Sequence, residues 1–218
     1  MNVVAIYEGI NLITEYDARR IKQIVCKYAK QTCIHHPKDL LRHDISILLL
    51  MYILVSDGED VRYNMNYLRY NDWGFPSFSK AHSISYCTNA VCGVISEAGV
   101  GIDIQDIIAI ESEILKEFAS KSESCFLNNH DNREINTVIL FTLKECFGKY
   151  LNVGLNYLLT EIELLSENRK FEKYGLQFET QVFENFIVSL CSVKGIVFQC
   201  KIISYDELMN LVNYLSQI

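Results

Sequence analysis

Residues 83–105 read SISYCTNAVCGVISEAGVGIDIQ, and the fold turns on how that stretch is divided. Ser83 to Ile95 alternates in part and is rich in Ile, Tyr, Cys and Val, the composition of a strand. Ser96-Glu97-Ala98-Gly99 is turn chemistry, and Val100 to Ile104 follows as a second strand, so the stretch predicts a hairpin. Asp103 and Gln105 stand two residues apart on the return strand. A period of two puts both side chains on one face.

Working outward, helices flank this strand-rich centre. Upstream, Val3 to Tyr7 reads as a short strand. Asp17 opens a helix with Ala18, Ile21, Ile24, Val25 and Tyr28 at helical spacing. Pro37 suits the first turn of a second helix, which runs to about Val55 with an apolar face that widens until it is almost all-round. Residues 61–70, rich in Tyr and Asn, read as a short strand. Downstream, a helix is predicted over Ile107 to Ser120, a polar loop over Lys121 to Arg133, and a strong helix over Glu134 to Leu151. Residues 158–205 read as strands, and Tyr205 to Leu215 as a closing helix. With two prolines and no low-complexity linker, the pattern predicts one compact α+β unit.

Composition sets the limits of function. The 218 residues are 50% hydrophobic and carry a net charge of -7, which excludes a disordered chain and a globally basic nucleic-acid binder. Residues 19–42 nevertheless hold Arg19, Arg20, Lys22, Lys27, Lys30, Lys38 and Arg42 against a single acid, Asp39. A local basic segment of this kind can bind a compact anion, although a solvated helix face explains it too. The start shows no secretion signal, and the longest apolar run, Ile45 to Val55, is about half of what a bilayer requires. The expectation is a cytoplasmic protein with no membrane partner. Its eight cysteines form no CxxC pair and read as reduced thiols.

Three constellations could do chemistry. Asp103, Gln105 and Glu145 offer oxygen ligands of the kind Mg²⁺ takes. Glu145 and Lys149, four apart on one helix, also suit an ordinary exposed ion pair. His82 and Ser83 stand at a loop-to-strand junction, where a phosphate could find donors. Each also has an ordinary structural reading. Their order is more telling. The chain runs through Gly74-Phe75-Pro76, Ala81-His82-Ser83, Val100-Gly101-Ile102-Asp103-Ile104-Gln105, Phe141-Thr142-Leu143-Lys144-Glu145-Cys146-Phe147-Gly148-Lys149 and Gly154-Leu155. This series resembles the 4′-phosphopantetheinyl transferase superfamily, of the surfactin-synthetase-activating type. Lys38-Asp39-Leu40-Leu41-Arg42 and the end, Ile203 to Leu208, look like further segments of that family.

The resemblance implies a fold, a reaction and a site. The fold would be two similar α+β halves, 1–98 and 99–218, related by pseudo-twofold symmetry with the active site at their junction. The reaction would move the 4′-phosphopantetheine arm of coenzyme A to a serine of an acyl or peptidyl carrier protein. It would require Mg²⁺ and release adenosine 3′,5′-bisphosphate. Asp103, Gln105 and Glu145 would hold the metal, with Glu145, Lys149 and Lys144 as catalytic residues. His82, Ser83, Arg42, Lys27 and Lys30 would contact coenzyme A. The expected partners are coenzyme A and the carrier protein, with no nucleic acid, and the chain is expected to be a monomer. The sequence departs from the family pattern at Phe75 for Lys, Ala81 for Ser, Gln105 for Glu and Phe141 for Trp. The departures at 75, 81 and 105 keep a second reading open, a relative that binds coenzyme A or a carrier protein without transfer. A purely structural α+β interaction protein is the third.

Overall fold

The computed structural model describes residues 2–29, 37–65, 69–70, 76–77, 80–153 and 157–218. In chain order the elements are β1 (Asn2–Glu8), α1 (Glu15–Tyr28), α2 (Pro37–Ser56), α3 (Val61–Met65), β2 (Arg69–Tyr70), β3 (Pro76–Ser77), β4 (Ala81–Tyr86) and β5 (Ala90–Ser96). There follow β6 (Val100–Asp106), α4 (Ser112–Phe118), α5 (Lys121–Asn128), α6 (Arg133–Leu151), β7 (Lys170–Lys173), β8 (Leu176–Val182), β9 (Phe186–Val193), β10 (Phe198–Ile203) and α7 (Tyr205–Gln217). A 3₁₀ turn spans Tyr157–Glu161. Mixed α and β elements, as expected, make up the described chain.

The contacts divide the chain into two units, Met1–Ala98 with Val197–Ile218, and Gly99–Ile196. The boundary at Gly99 is where the sequence turns. The C-terminal segment, expected in the second half, belongs to the first unit instead, because β10 pairs in parallel with β1 from Asn2↔Phe198 to Tyr7↔Ile203. A backbone ladder of that length outweighs sequence proximity.

In the first unit the strand order is β10-β1-β5-β4. The nearly all-round apolar helix α2 lies on the sheet. Ile45, Ile47, Leu48, Leu49, Leu50 and Met51 are fully buried and join Ala5, Tyr7, Val91 and Ile95 in one core. Each such side chain contributes roughly 1.5–3 kcal/mol by leaving water. Capping boxes start α1 (Thr14 with Asp17) and α7 (Ser204 with Glu207), each satisfying two backbone donors that a helix start leaves open.

In the second unit the order is β6-β9-β8-β7, antiparallel throughout, with α6 packed on β6 and β9. Val138, Ile139, Leu143, Cys146 and Phe147 of α6 meet Phe178, Ile187 and Cys191 of the sheet. Asn152 ends α6 in the left-handed region (φ 57), and its N–H is bonded to the carbonyls of Gly148 and Lys149. Asn tolerates that conformation as a helix stop.

Three local expectations are corrected. The hairpin is β4–β5, Ala81↔Ser96 to Tyr86↔Val91, turning at residues 87–89. The turn at 96–99 instead carries the chain out of one sheet into the other, and β6 pairs with β9, not β5. Residues 121–128, read as a loop, are helix α5, opened by a capping box of Ser120 and Glu123. Val61–Met65, read as part of a strand, is a short helix, with Asp60 Oδ1 accepting from the N–H groups of Arg62 and Tyr63.

Candidate active site

One glycine decides how close α6 lies to β6. A Cβ on Gly101 would stand 2.0 Å from the Cys146 carbonyl oxygen and 2.6 Å from the Tyr150 nitrogen. Only a residue without a side chain lets the strand approach the helix backbone so closely. Gly101, Asp103 and Gln105 alternate onto the same strand face, so Asp103 and Gln105 point to the α6 side. On α6, Glu145 and Lys149 lie one turn apart, flanking Cys146.

The structure brings Asp103, Glu145 and Lys149 together. Lys149 Nζ lies 2.7 Å from Asp103 Oδ1. Asp103 is buried, and Glu145 and Lys149 are half-buried. Burial first, then the negative charge of Asp103, pushes the Glu145 carboxyl up to about 7, while Lys149 pulls it down. A carboxyl poised near neutrality is suited to proton transfer. Gln105 stands two residues along the same face, opposite Ile187 of β9. Nearby, Thr142 Oγ1 meets Ser189 Oγ at 2.7 Å, which ties α6 to β9 beside the Asp103↔Ser189 register pair.

The donor set fits a divalent cation of the Mg²⁺ kind. Two carboxylates and an amide carbonyl are hard oxygen donors. Burial raises Glu145 most, and the smaller part due to the Asp103 charge is what a cation beside both carboxylates would relieve. Among the described residues no three His, Cys, Asp or Glu side chains converge; a third protein donor would have to be a neutral one, as Gln105 is.

Lys144 lies elsewhere. Its fully buried ammonium pairs with Glu123 Oε2 at 2.9 Å and donates to the carbonyls of Leu159, at 2.6 Å, and Ile162. A helix turns about 100° per residue, so neighbours in sequence leave α6 in different directions. At Phe141, another departure from the family pattern, the ring meets Phe118 of α4 edge-on with centroids 5.2 Å apart.

The residues expected to contact coenzyme A, where described, fall in the first unit. His82 and Ser83 are consecutive on β4, so they project from opposite faces of the sheet. His82 Nδ1 lies 3.1 Å from the Lys80 carbonyl, and Ser83 is buried. Arg42, on α2, reaches Asp39 and, at 3.1 Å, the Thr88 carbonyl. Thr88 follows β4, whereas His82 stands at its start, so the two lie at opposite ends of that strand. Lys27 Nζ approaches the Leu215 carbonyl at the end of α7 and stands over the Tyr28 ring. Lys30, Phe75 and Gly154 lie outside the described residues.

Sequence reasoning did not find the roles of Gly101, Glu123 and Ser189. The first was visible as a glycine inside a strand. Ser120-x-x-Glu123 was legible as a capping box. Nothing in the sequence marked Ser189.

Residues 99–191 match the family model of the 4′-phosphopantetheinyl transferase superfamily. That segment contains β6, α6 and every residue of the Asp103–Glu145–Lys149 cluster. The chain is also similar to the 4′-phosphopantetheinyl transferase gsp of Aneurinibacillus migulanus, with 27% identity over 189 residues, 80% of this chain and 78% of that one.

Proposed function

We propose that this chain, whose residues 99–191 match the 4′-phosphopantetheinyl transferase superfamily, transfers the 4′-phosphopantetheine group of coenzyme A to a serine of an acyl or peptidyl carrier protein. The observation that carries the reading is the cluster of Asp103, Glu145 and Lys149 where Gly101 lets β6 meet α6. Two units, each with its own four-stranded sheet, favour the surfactin-synthetase-activating type.

In the reaction, the carrier serine oxygen forms a bond to the phosphorus that bears the pantetheine arm. The phosphoanhydride bond breaks, and adenosine 3′,5′-bisphosphate leaves. Asp103, Glu145 and Gln105 would hold Mg²⁺, which when bound would supply charge neutralisation for the phosphoryl transfer. Glu145 takes the serine proton, directly or through a water. Lys149 offsets the charge that gathers on the departing phosphate.

His82, Ser83, Arg42, Lys27 and Lys30 take the coenzyme A phosphates. Arg42 and His82, at opposite ends of β4, are assigned to different phosphate groups of the same molecule. A carrier protein is typically acidic, so its docking weakens with salt if the basic 19–42 segment takes part.

A catalytically impaired relative is the second reading, favoured by Gln105 and Ala81 in place of a metal ligand and a phosphate donor. Incubation with a fluorescent coenzyme A, Mg²⁺ and an excised peptidyl carrier domain separates the two. The first reading expects label on the carrier serine. Coenzyme A binding with no label at saturating substrate and metal supports the second.

A further inference from the structure

Glu123 of α5 and Lys144 of α6 form a second acid–base pair that the proposed chemistry does not use. Lys144 is fully buried and Glu123 nearly so. A lysine ammonium has three N–H donors, and each has an acceptor here: the Leu159 carbonyl at 2.6 Å, the Ile162 carbonyl, and Glu123 Oε2 at 2.9 Å. The Glu123 carboxylate is equally complete. Its Oε2 also accepts from the Ser120 N–H at 2.9 Å, and its Oε1 accepts from the N–H groups of Leu164 at 2.6 Å and Leu165 at 3.2 Å. Three segments therefore meet at one point: the start of α5, the middle of α6, and the chain from 159 to 165.

Net stability is a poor reason to keep such a pair, because well-packed apolar residues often do as well. Leu140, Leu143 and Leu159 already pack α6 against its neighbours. Fixing register is the best-attested use of a buried polar pair. The pair is directional and fully bonded, so α6 cannot roll or slide without breaking several of its bonds. Glu145 is the next residue along the helix, and Asp103 and Lys149 meet one turn further on.

We propose that the Glu123–Lys144 pair fixes the rotation and register of α6 and so sets where Glu145 stands against Asp103. Lys144 is then a positioning residue and touches neither substrate nor metal. This inference rests on the reading of Asp103 and Glu145 as the metal-holding pair.

The test compares Lys144→Met with Phe171→Ala, each well below its unfolding temperature. Phe171 stacks on Phe178 at 5.1 Å from β7, the strand farthest from β6 in the sheet, and serves as a destabilised control whose apolar ring bonds to neither member of the pair. Two quantities are read: Mn²⁺ affinity by electron paramagnetic resonance, and kcat and KM with fluorescent coenzyme A and a peptidyl carrier domain. Lys144→Met is expected to weaken Mn²⁺ binding and lower kcat by roughly ten- to a hundredfold, the scale of supporting-residue losses, with KM for coenzyme A little changed. Phe171→Ala is expected to keep wild-type values. A folded Lys144→Met with wild-type Mn²⁺ affinity and kcat overturns the proposal, as do equal losses in both variants. If Lys144→Met fails to fold, Glu123→Gln carries the same comparison, since it keeps an acceptor for Leu164 and Leu165 while removing the charge facing Lys144. A wild type that binds Mn²⁺ but transfers nothing ends the transfer reading, and the Mn²⁺ comparison still decides the positioning. A wild type that binds no Mn²⁺ overturns both.

Discussion

Helix α6 carries two lysine–carboxylate pairs of nearly equal length, and they differ in almost everything else. Lys149 meets Asp103 of β6 at 2.7 Å with its side chain 17% exposed, and Lys144 meets Glu123 of α5 at 2.9 Å with its side chain at 0%. The first pair lies where a half-buried acid, Glu145, is pushed up to about 7. At the second, burial pulls the Lys144 ammonium down and Glu123 pulls it back. The run Lys-Glu-x-x-x-Lys makes the two lysines look like one catalytic team. Helical geometry separates them, one toward partly open chemistry and one toward a closed internal joint.

Substitution should separate them in the same way. The largest expected effect is on the joint. Lys144→Met leaves a buried carboxylate without its counter-charge and should cost about 3–5 kcal/mol of unfolding free energy in denaturant titrations. Lys149→Met should cost far less stability, yet lower kcat on the order of a hundredfold in the carrier-labelling assay. If the two lysines exchange these phenotypes, the distinction fails.

Next in size is Gly101→Ala. Its new methyl meets helix backbone that cannot yield as a flexible side chain would. A loss of about 3 kcal/mol, the upper range for overpacking, should come with weakened Mn²⁺ binding, because β6 and α6 are pushed apart at Asp103. An alanine tolerated in both respects would mean that the close approach does not position the site.

A smaller change should sharpen the metal side. Gln105→Glu adds a third carboxylate beside Asp103 and Glu145 and should tighten Mn²⁺ by on the order of 1 kcal/mol, the scale of one added charge at a partly exposed site. No gain would place residue 105 away from the cation.

The smallest expected effect lies in the first unit, far from either pair in sequence. The Ser204 N–H, followed by Lys201, pulls the Glu207 carboxyl down to about 2. A lowered folded-state value means that the stabilisation is present above the ordinary carboxylate range and lost as pH falls from about 4.5 toward 2. Glu207→Gln should flatten that part of the stability-versus-pH curve, by a small amount because the side chain is largely solvated.

What the sequence made legible follows from local physics. The long helices α2 and α6 stood out by their apolar spacing. Asp103 and Gln105 could be put on one face by strand alternation alone. What it hid was long-range. The parallel pairing of β10 with β1 joins residues about two hundred apart, and no local signal announces it. The passage from β5 to β6 looks like a hairpin turn because turn chemistry does not say whether the next strand pairs back or leaves for another sheet. The resemblance puts Lys144 at the site, and its actual partner, Glu123, sits in a segment that reads as a loop. The capping box there was the missed clue.

The account rests on Glu145 acting at a site that moves phosphopantetheine. The most direct measurement follows adenosine 3′,5′-bisphosphate released from coenzyme A, with Mg²⁺ and a carrier domain, by the wild type and by Glu145→Gln. The prediction is one nucleotide released per carrier serine modified, and none above background with Glu145→Gln or with the carrier serine changed to alanine. Release that persists in Glu145→Gln, or that does not need the carrier serine, would contradict it.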